Sequence, residues 1–297
     1  MIGRKSVGGV LLVNRFLFLL PVLVLFTAFF LYPFLFILFT SFTQWRGIGS
    51  MEFAGFVNYV TLVAERNFHR AVANNMIWAA CLGFIQVPLA CLVAMILARR
   101  PKGWHFLRTV FFLPNVISTV AIAMVWVAMY NTSGPINFAL NALFGMEPRN
   151  WLGDPSTALG AIIFQTVIYI GYFMIVIFAA TLNISQTLYE AAKIDGANVF
   201  QQEWHITLPM LRGVLVTTIT LAMAFGIRHF EATYLMTGGG PAFVTTTLGI
   251  DLFQRMDALR YSEATTTGIF LILLGTVVIT ILRRIAGSAD PMSDASQ

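Results

Sequence analysis

The ionisable residues of this chain are few, and none is grouped as an enzyme would group them. His69, His105, His205 and His229 are scattered, with no H-x-x-x-H or Cys/His cluster to hold a metal. Lys5, Lys102 and Lys193 are the only lysines, and none closes a glycine-rich phosphate loop. No G-x-S-x-G elbow is present either. Any enzyme here would be a membrane-embedded one without a recognisable motif, so the expectation is no enzyme, no metal and no cofactor on this chain. Two other constellations carry the chemistry. One is a polar stretch around Glu190, and the other is a set of charges inside an apolar run at Phe225–Glu231.

The polar stretch runs from Ile184 through Glu190, Ala191, Ala192, Lys193, Ile194, Asp195, Gly196 and Ala197, with Pro209 beyond it. Leu188, Ala191, Ala192 and Asp195 recur at helical spacing, which predicts a short helix with a small-residue face. Gly196 supplies the left-handed residue that ends such a helix. A second short helix is expected from about Asn198 to His205, stopping before Leu208-Pro209 because a residue ahead of proline resists the helical region. A flat alanine patch beside one carboxylate suits a knob seated in another protein's groove. The competing reading is an amphipathic helix on lipid, which would carry larger apolar residues and more lysine. Glu190 has its own plain alternative, an ion pair with Lys193 three residues on.

In the second constellation, Arg228 and Glu231 lie within an apolar run. A charge there costs roughly 2.5–3.5 kcal/mol on insertion scales, so both should face a cavity or each other. Their i, i+3 spacing puts them on one helical face.

The elements that must position these groups follow from composition. Hydrophobic residues make up 58% and charged residues 10% of 297, far fewer charges than a soluble domain needs. The apolar residues fall into six unbroken runs, at about 16–41, 73–98, 106–131, 158–183, 211–236 and 264–285, each long enough to cross a bilayer as a helix. None alternates as a barrel strand would. The fold class expected is therefore an all-α integral membrane protein with six transmembrane helices. Cytoplasmic placement of both termini puts 11 basic residues inside and 6 outside, with Arg99-Arg100-Lys102 and Arg283-Arg284 among the inner ones. The basic balance, a net +5, is a topology signal, and no basic face for nucleic acid is visible. The first run is too long for a signal peptide and is expected to remain as a helix. Cys81 and Cys91, about 15 Å apart along one helix, are expected to pack and not to pair. Pro33, Pro88 and Pro114 are expected to kink or start helices, and Trp45, Tyr130 and Trp151 to anchor at the interfaces. The domain layout expected is a cytoplasmic segment 1–15, a permease domain 16–285 holding the loop 184–210, and a polar tail 286–297.

Glu190-Ala191-Ala192-x-x-Asp195-Gly196-Ala197 followed by Ile206-Thr207-Leu208-Pro209 resembles the EAA loop of bacterial ABC-importer permeases, of the maltose- and glycerol-phosphate-permease type. Tyr32-Pro33, Ser41-Phe42-Thr43, Asn58-Tyr59, Arg108-Thr109, Leu113-Pro114, Trp126, Gly134 and Asn137 are similar to that group too. So are Trp151-Leu152, Asp154-Pro155, Thr237-Gly238-Gly239-Gly240-Pro241 and Thr245 to Thr247, so the resemblance runs from about residue 16 to 285. Ser185 stands where the family usually has proline, and Glu203 where phenylalanine is common.

The resemblance implies a type I importer permease in the bacterial inner membrane. It would pair with a second permease, two ATPase subunits that carry ATP and Mg, and an extracytoplasmic solute-binding protein. Glu190, Ala191, Ala192, Asp195, Gly196 and Ala197 would dock into the ATPase. Phe225, Gly226 and His229, with Ile170, Gly171 and Met174 on the preceding helix, would line a sugar path alongside Arg228 and Glu231. An aromatic surface, a glycine that admits the ligand and a few hydrogen-bond donors suit a sugar ring. The alternative is a self-sufficient ion-coupled secondary transporter, which would typically show inverted repeats; none is evident.

Overall fold

The computed structural model describes residues 18–287. The expected cytoplasmic segment 1–15 and the tail beyond residue 287 lie outside the described residues. Those described divide into two compact units, residues 18–64 with 252–269, and residues 65–251 with 270–287.

In the first unit, helix α1 (Phe18–Ser41) is apolar all round, and no residue of its apolar window is buried. That is how a helix solvated by lipid or covered by another subunit looks. Beyond it, strand β1 (Thr43–Gln44) pairs antiparallel with β2 (Glu52–Phe53), and helix α2 follows (Val57–Ala64). Asn58 ties the helix exit, donating from Nδ2 to the carbonyls of Ser41 at 2.9 Å and Thr43 at 2.7 Å. Ser41 and Tyr59 share a hydroxyl hydrogen bond of 2.6 Å. The Ser41-Phe42-Thr43 and Asn58-Tyr59 pairs are thus one knot.

The second unit holds α3 (Arg66–Ala98), α4 (Trp104–Phe112), α5 (Thr119–Tyr130), α6 (Pro135–Phe144), α7 (Ala158–Val167) and α8 (Gly171–Thr181). After them come α9 (Gln186–Ile194), α10 (Val199–Gln202), α11 (Arg212–Ile227) and α12 (Glu231–Thr237). Helices α13 (Leu248–Asp257) and α14 (Tyr261–Gly287) contribute residues to both units. Because α14 runs to Gly287, residues 286 and 287 are helical backbone and not part of the expected tail.

Five segments are long and apolar enough to cross a membrane: Phe18–Ser41, Arg66–Ala98, Ala158–Thr181, Arg212–Thr237 and Tyr261–Arg284. The third expected span makes six when its two parts count as one. It is a bent pair, Trp104–Val116 and Thr119–Phe144, meeting at 99°. Pro114 has no N–H to extend the helix, so the chain tightens into a 3₁₀ turn over Leu113–Val116 and becomes extended at Ile117.

Other prolines are absorbed differently. Pro33, Pro88 and Pro209 each stand two residues after a π-helical turn, at Thr27–Leu31, Leu82–Gln86 and Glu203–Thr207. In each, the residue before proline donates to the carbonyl five back. That wider turn removes both the demand for the missing N–H and the ring's clash with the carbonyl four back. The expected stop before Leu208-Pro209 therefore does not occur. Leu208 stays helical (φ −62°, ψ −45°), and the chain reaches α11 almost without interruption.

The core lies where α3 packs along α8, with Ala90, Ala94 and Leu97 buried in one cluster with Met174, Ile177 and Phe178. Cys91 is buried in this cluster and Cys81 packs on it, both as free thiols. Side-chain amides close the gaps in the helices. Asn75, fully buried, donates to the Ile227 carbonyl at 2.5 Å and accepts from the Leu248 N–H at 2.7 Å. Asn74 holds the carbonyls of Val244 and Thr246 at 2.9 and 2.8 Å. Replacing Asn75 by Leu orphans a buried carbonyl and a buried N–H, and is predicted to cost about 1–3 kcal/mol. Thermal unfolding of the detergent-solubilised protein measures it; an unchanged midpoint would show that the amide holds nothing.

Candidate solute cavity and docking loop

Helix α9 ends as its sequence requires. Gly196 sits at φ +79°, the Ala197 N–H returns to the Ala192 carbonyl at 2.8 Å, and the Gly196 N–H to Lys193 at 3.1 Å. This is the Schellman arrangement, and a Cβ at Gly196 would meet only open space. Glycine is needed there for its backbone angle and not for room.

Glu190, Ala191, Asp195 and Gly196 are exposed, and Ala192 and Ala197 are half-buried. Among the described residues, the Glu190 carboxylate has no hydrogen bond or ion pair, so the intrahelical pair with Lys193 does not form. Asn198 and Gln201 make a reciprocal capping box at the start of α10, and Gln202 donates to the Ala197 carbonyl at 3.0 Å. Tyr189 and Thr207 share a hydroxyl hydrogen bond of 2.9 Å. The loop is thereby a single stiff body.

The loop carries several exposed apolar side chains, among them Ile194 at 87%, Phe200 at 72% and Trp204 at 59% exposure, the last two rings stacked. Their signal in the sequence is only that two bulky aromatics lie four apart beside a docking motif. Glu203, which stands where an apolar contact is usual, instead meets Arg99, whose Nε lies 2.6 Å from its Oε1.

A cavity of about 700 Å³ opens in the second unit. The breaks in the helices furnish its walls. Between α7 and α8 the helix unwinds over residues 168–170, and Gln86 stabilises that break by donating to the carbonyls of Thr166 at 3.0 Å and Tyr169 at 3.1 Å. The break presents Tyr169, Tyr172 and Phe173 to the cavity. A second break, between α11 and α12, presents Phe225, Arg228, His229, Phe230 and Glu231, and the 3₁₀ turn adds Pro114 and Asn115. Phe225 faces the α8 rings, 6.1 Å from both Tyr172 and Phe173.

Four of the eight expected path residues line this cavity: Phe225, Arg228, His229 and Glu231. The other four do not line it in this structure. Ile170 and Met174 are buried in the core cluster. Gly171 lies against the backbone of α4, where a Cβ would come within 2.1 Å of the Phe111 carbonyl. Gly226 lies against α3, where a Cβ would come within 2.6 Å of the Ala79 backbone. Both glycines admit a neighbouring helix and not a ligand. The rings that line the cavity here, Tyr169, Tyr172 and Phe173, lie beside the positions that the family resemblance gave, Ile170, Gly171 and Met174.

Arg228 and Glu231 form no ion pair with each other; the Arg228 guanidinium instead lies 5.6 Å from the centre of the Phe225 ring. His229 stacks on Trp78 at 3.6 Å. Among the described residues, its Nε2 is buried without a hydrogen-bond partner, as are Trp78 Nε1 and Thr233 Oγ1. The site therefore offers an aromatic cleft, amides from Gln86, Asn115 and Gln165, and one charge of each sign.

Residues 86–291 match the family model described as "Binding-protein-dependent transport system inner membrane component". The chain is 34% identical to the lactose transport system permease protein LacF of Rhizobium radiobacter, over 95% of this chain and 96% of that one. It is 33% identical to the trehalose/maltose transport system permease protein MalF of Thermococcus litoralis, over 78% and 80%. The fold matches a chain of a bacterial alginate ABC transporter, solved with an alginate pentasaccharide-bound periplasmic protein, at TM-score 0.81. That match covers 92% of this chain and 93% of the other, at 23% identity.

The Gly226 packing has a measurable consequence. Gly226→Ala is predicted to destabilise the protein by about 1–3 kcal/mol through overpacking against Ala79. The reading is the thermal midpoint in detergent, and an unshifted midpoint would return Gly226 to the solute path.

Proposed function

Because the chain belongs to the family of binding-protein-dependent transport system inner membrane components, we propose that it forms, with a second permease, the path for a sugar or sugar-like solute. It is a multi-pass inner-membrane permease subunit of an ABC importer, and the self-sufficient secondary transporter is set aside. An extracytoplasmic binding protein delivers the solute, and two ATPase subunits, holding ATP and Mg, dock on the cytoplasmic loops.

One observation carries the solute class: a cleft walled by Tyr169, Tyr172, Phe173 and Phe225 and edged by amides lies at two helix breaks. Flat apolar faces with convergent hydrogen-bond groups are what a sugar ring needs. The names of the lactose and trehalose/maltose relatives agree with it. Docking is supported by the exposed, unpaired Glu190, the small residues beside it, and the uncovered Ile194, Phe200 and Trp204. Apolar side chains of that size, gathered on one stiff loop, suit a protein groove.

The mechanism follows from the two ends. Closure of the ATPase pair moves the loops, and the cavity changes side because its two states differ in their contacts with those loops. Glu190→Arg puts a cation where the groove accepts an anion. It is predicted to lower uptake by the reconstituted importer at least about tenfold, in line with the usual penalty for a misplaced interface charge, while membrane insertion is unchanged. Normal uptake would count against docking. Tyr172→Ala is predicted to raise the apparent KM for a transported disaccharide by about fivefold, since a lost aromatic platform is worth about 1 kcal/mol. An unchanged KM across a panel of labelled di- and oligosaccharides would remove this wall from the solute path.

A further inference from the structure

The docking loop touches the membrane body at a place its motif does not include. Arg99 closes the cytoplasmic end of α3, and its guanidinium reaches Glu203 Oε1 through Nε at 2.6 Å and the Val199 carbonyl through Nη2 at 3.4 Å. The pair is more sheltered than an ordinary surface bridge, with the Glu203 side chain 17% exposed and Arg99 34%. We propose that Arg99 and Glu203 form a coupling strut, which makes α3 follow the docking loop so that ATP-driven movement reaches the solute cavity. This rests on the docking reading above.

The route is continuous. The loop is stiff, for Gln202, Asn198, Gln201 and the Tyr189–Thr207 bond hold its parts together. It is joined by the chain itself to α8, through residues 182–185, so α8 moves with it in any case. Helix α3 has no such covalent link. From Arg99 it runs about 20 Å to Gln86, its alanine face buried along α8. Gln86 then bonds the unwound carbonyls of Thr166 and Tyr169, the break that carries the aromatic wall. The break is thus gripped from both sides, by α8 through the chain and by α3 through Gln86. With the strut intact the loop drives both grips directly; without it, α3 follows the loop only through its packing along α8, and its end at Arg99 is free to lag.

A merely structural surface bridge is worth at most about 1 kcal/mol and would leave coupling untouched. Arg99 and Glu203 are positioning residues, so the test reads coupling and not stability alone. In the assembled importer, with both permeases, the ATPases and the binding protein, Thr119→Cys on the cavity wall is labelled by a water-soluble maleimide with and without ATP and vanadate. The expected ATP-dependent change in labelling rate is about fivefold or more, the lower end of typical coupling between sites. Glu203→Gln and Arg99→Gln are expected to reduce it below about twofold, while the ATPase still co-purifies and hydrolyses ATP. The double exchange Arg99→Glu with Glu203→Arg should restore most of it.

A full ATP-dependent change in Glu203→Gln, or a double exchange no better than either single one, would overturn the strut. Glu190→Arg, run in parallel, separates the two claims. If it keeps both the ATPase and the labelling change, the docking reading fails. If it loses the ATPase while Glu203→Gln behaves as the parent, the strut alone fails.

Discussion

Within a bilayer every backbone N–H and C=O has to be satisfied by the protein, and this chain is organised by how it meets that demand where its helices stop. At several interruptions a side-chain amide takes over from the ladder. Gln86 serves residues 166–169, Asn75 serves Ile227 and Leu248, and Asn74 serves Val244 and Thr246. Asn137 does the same at the end of α5 and the loop ahead of α7, holding the carbonyls of Asn131 and Arg149, both at 2.9 Å. An unmet carbonyl in this setting costs several kcal/mol, so these amides decide where the chain can leave the helical path. The breaks they permit are the places where Tyr169, Tyr172, Arg228 and Glu231 turn toward the cavity. The cavity wall is thus built on local departures from helix, and two of them rest on Gln86 and Asn75.

The same constraint explains what the sequence reveals and what it hides. Apolar runs of twenty residues are a bulk property, so the spans and the Glu190–Ala197 motif are legible directly. The π turns ahead of Pro33, Pro88 and Pro209 preserve helix through residues that read as breakers, so the stop expected at Pro209 was misplaced. The interruption at residues 168–170 is the reverse case. Nothing in Ile168-Tyr169-Ile170 marks a break, because its stabiliser, Gln86, lies far away in sequence and resembles any lone polar residue in an apolar run. The resemblance pointed to Ile170, Gly171 and Met174, and at the break the neighbouring Tyr169, Tyr172 and Phe173 line the cavity. Gly171 and Gly226 carry a related lesson: a small residue in a membrane helix is ambiguous between admitting a ligand and admitting a helix. Only the approach of Phe111 and Ala79 decides it.

The unpaired charges sharpen the picture of the cavity. Two ionised groups one turn apart would pair if the helix between them were regular, since that spacing brings side chains together. They do not, because Arg228 closes α11 and Glu231 opens α12, and the three residues from Arg228 to Phe230 between those helices change direction. Arg228 lies against the Phe225 ring and Glu231 points elsewhere on the same wall. Such an arrangement cannot face hydrocarbon, where each charge would cost several kcal/mol. It is stable only if the wall faces water, a polar solute or another subunit. A cavity walled in this way needs water or a polar surface on its open side, a demand that an isolated hydrophobic bundle in lipid would not make.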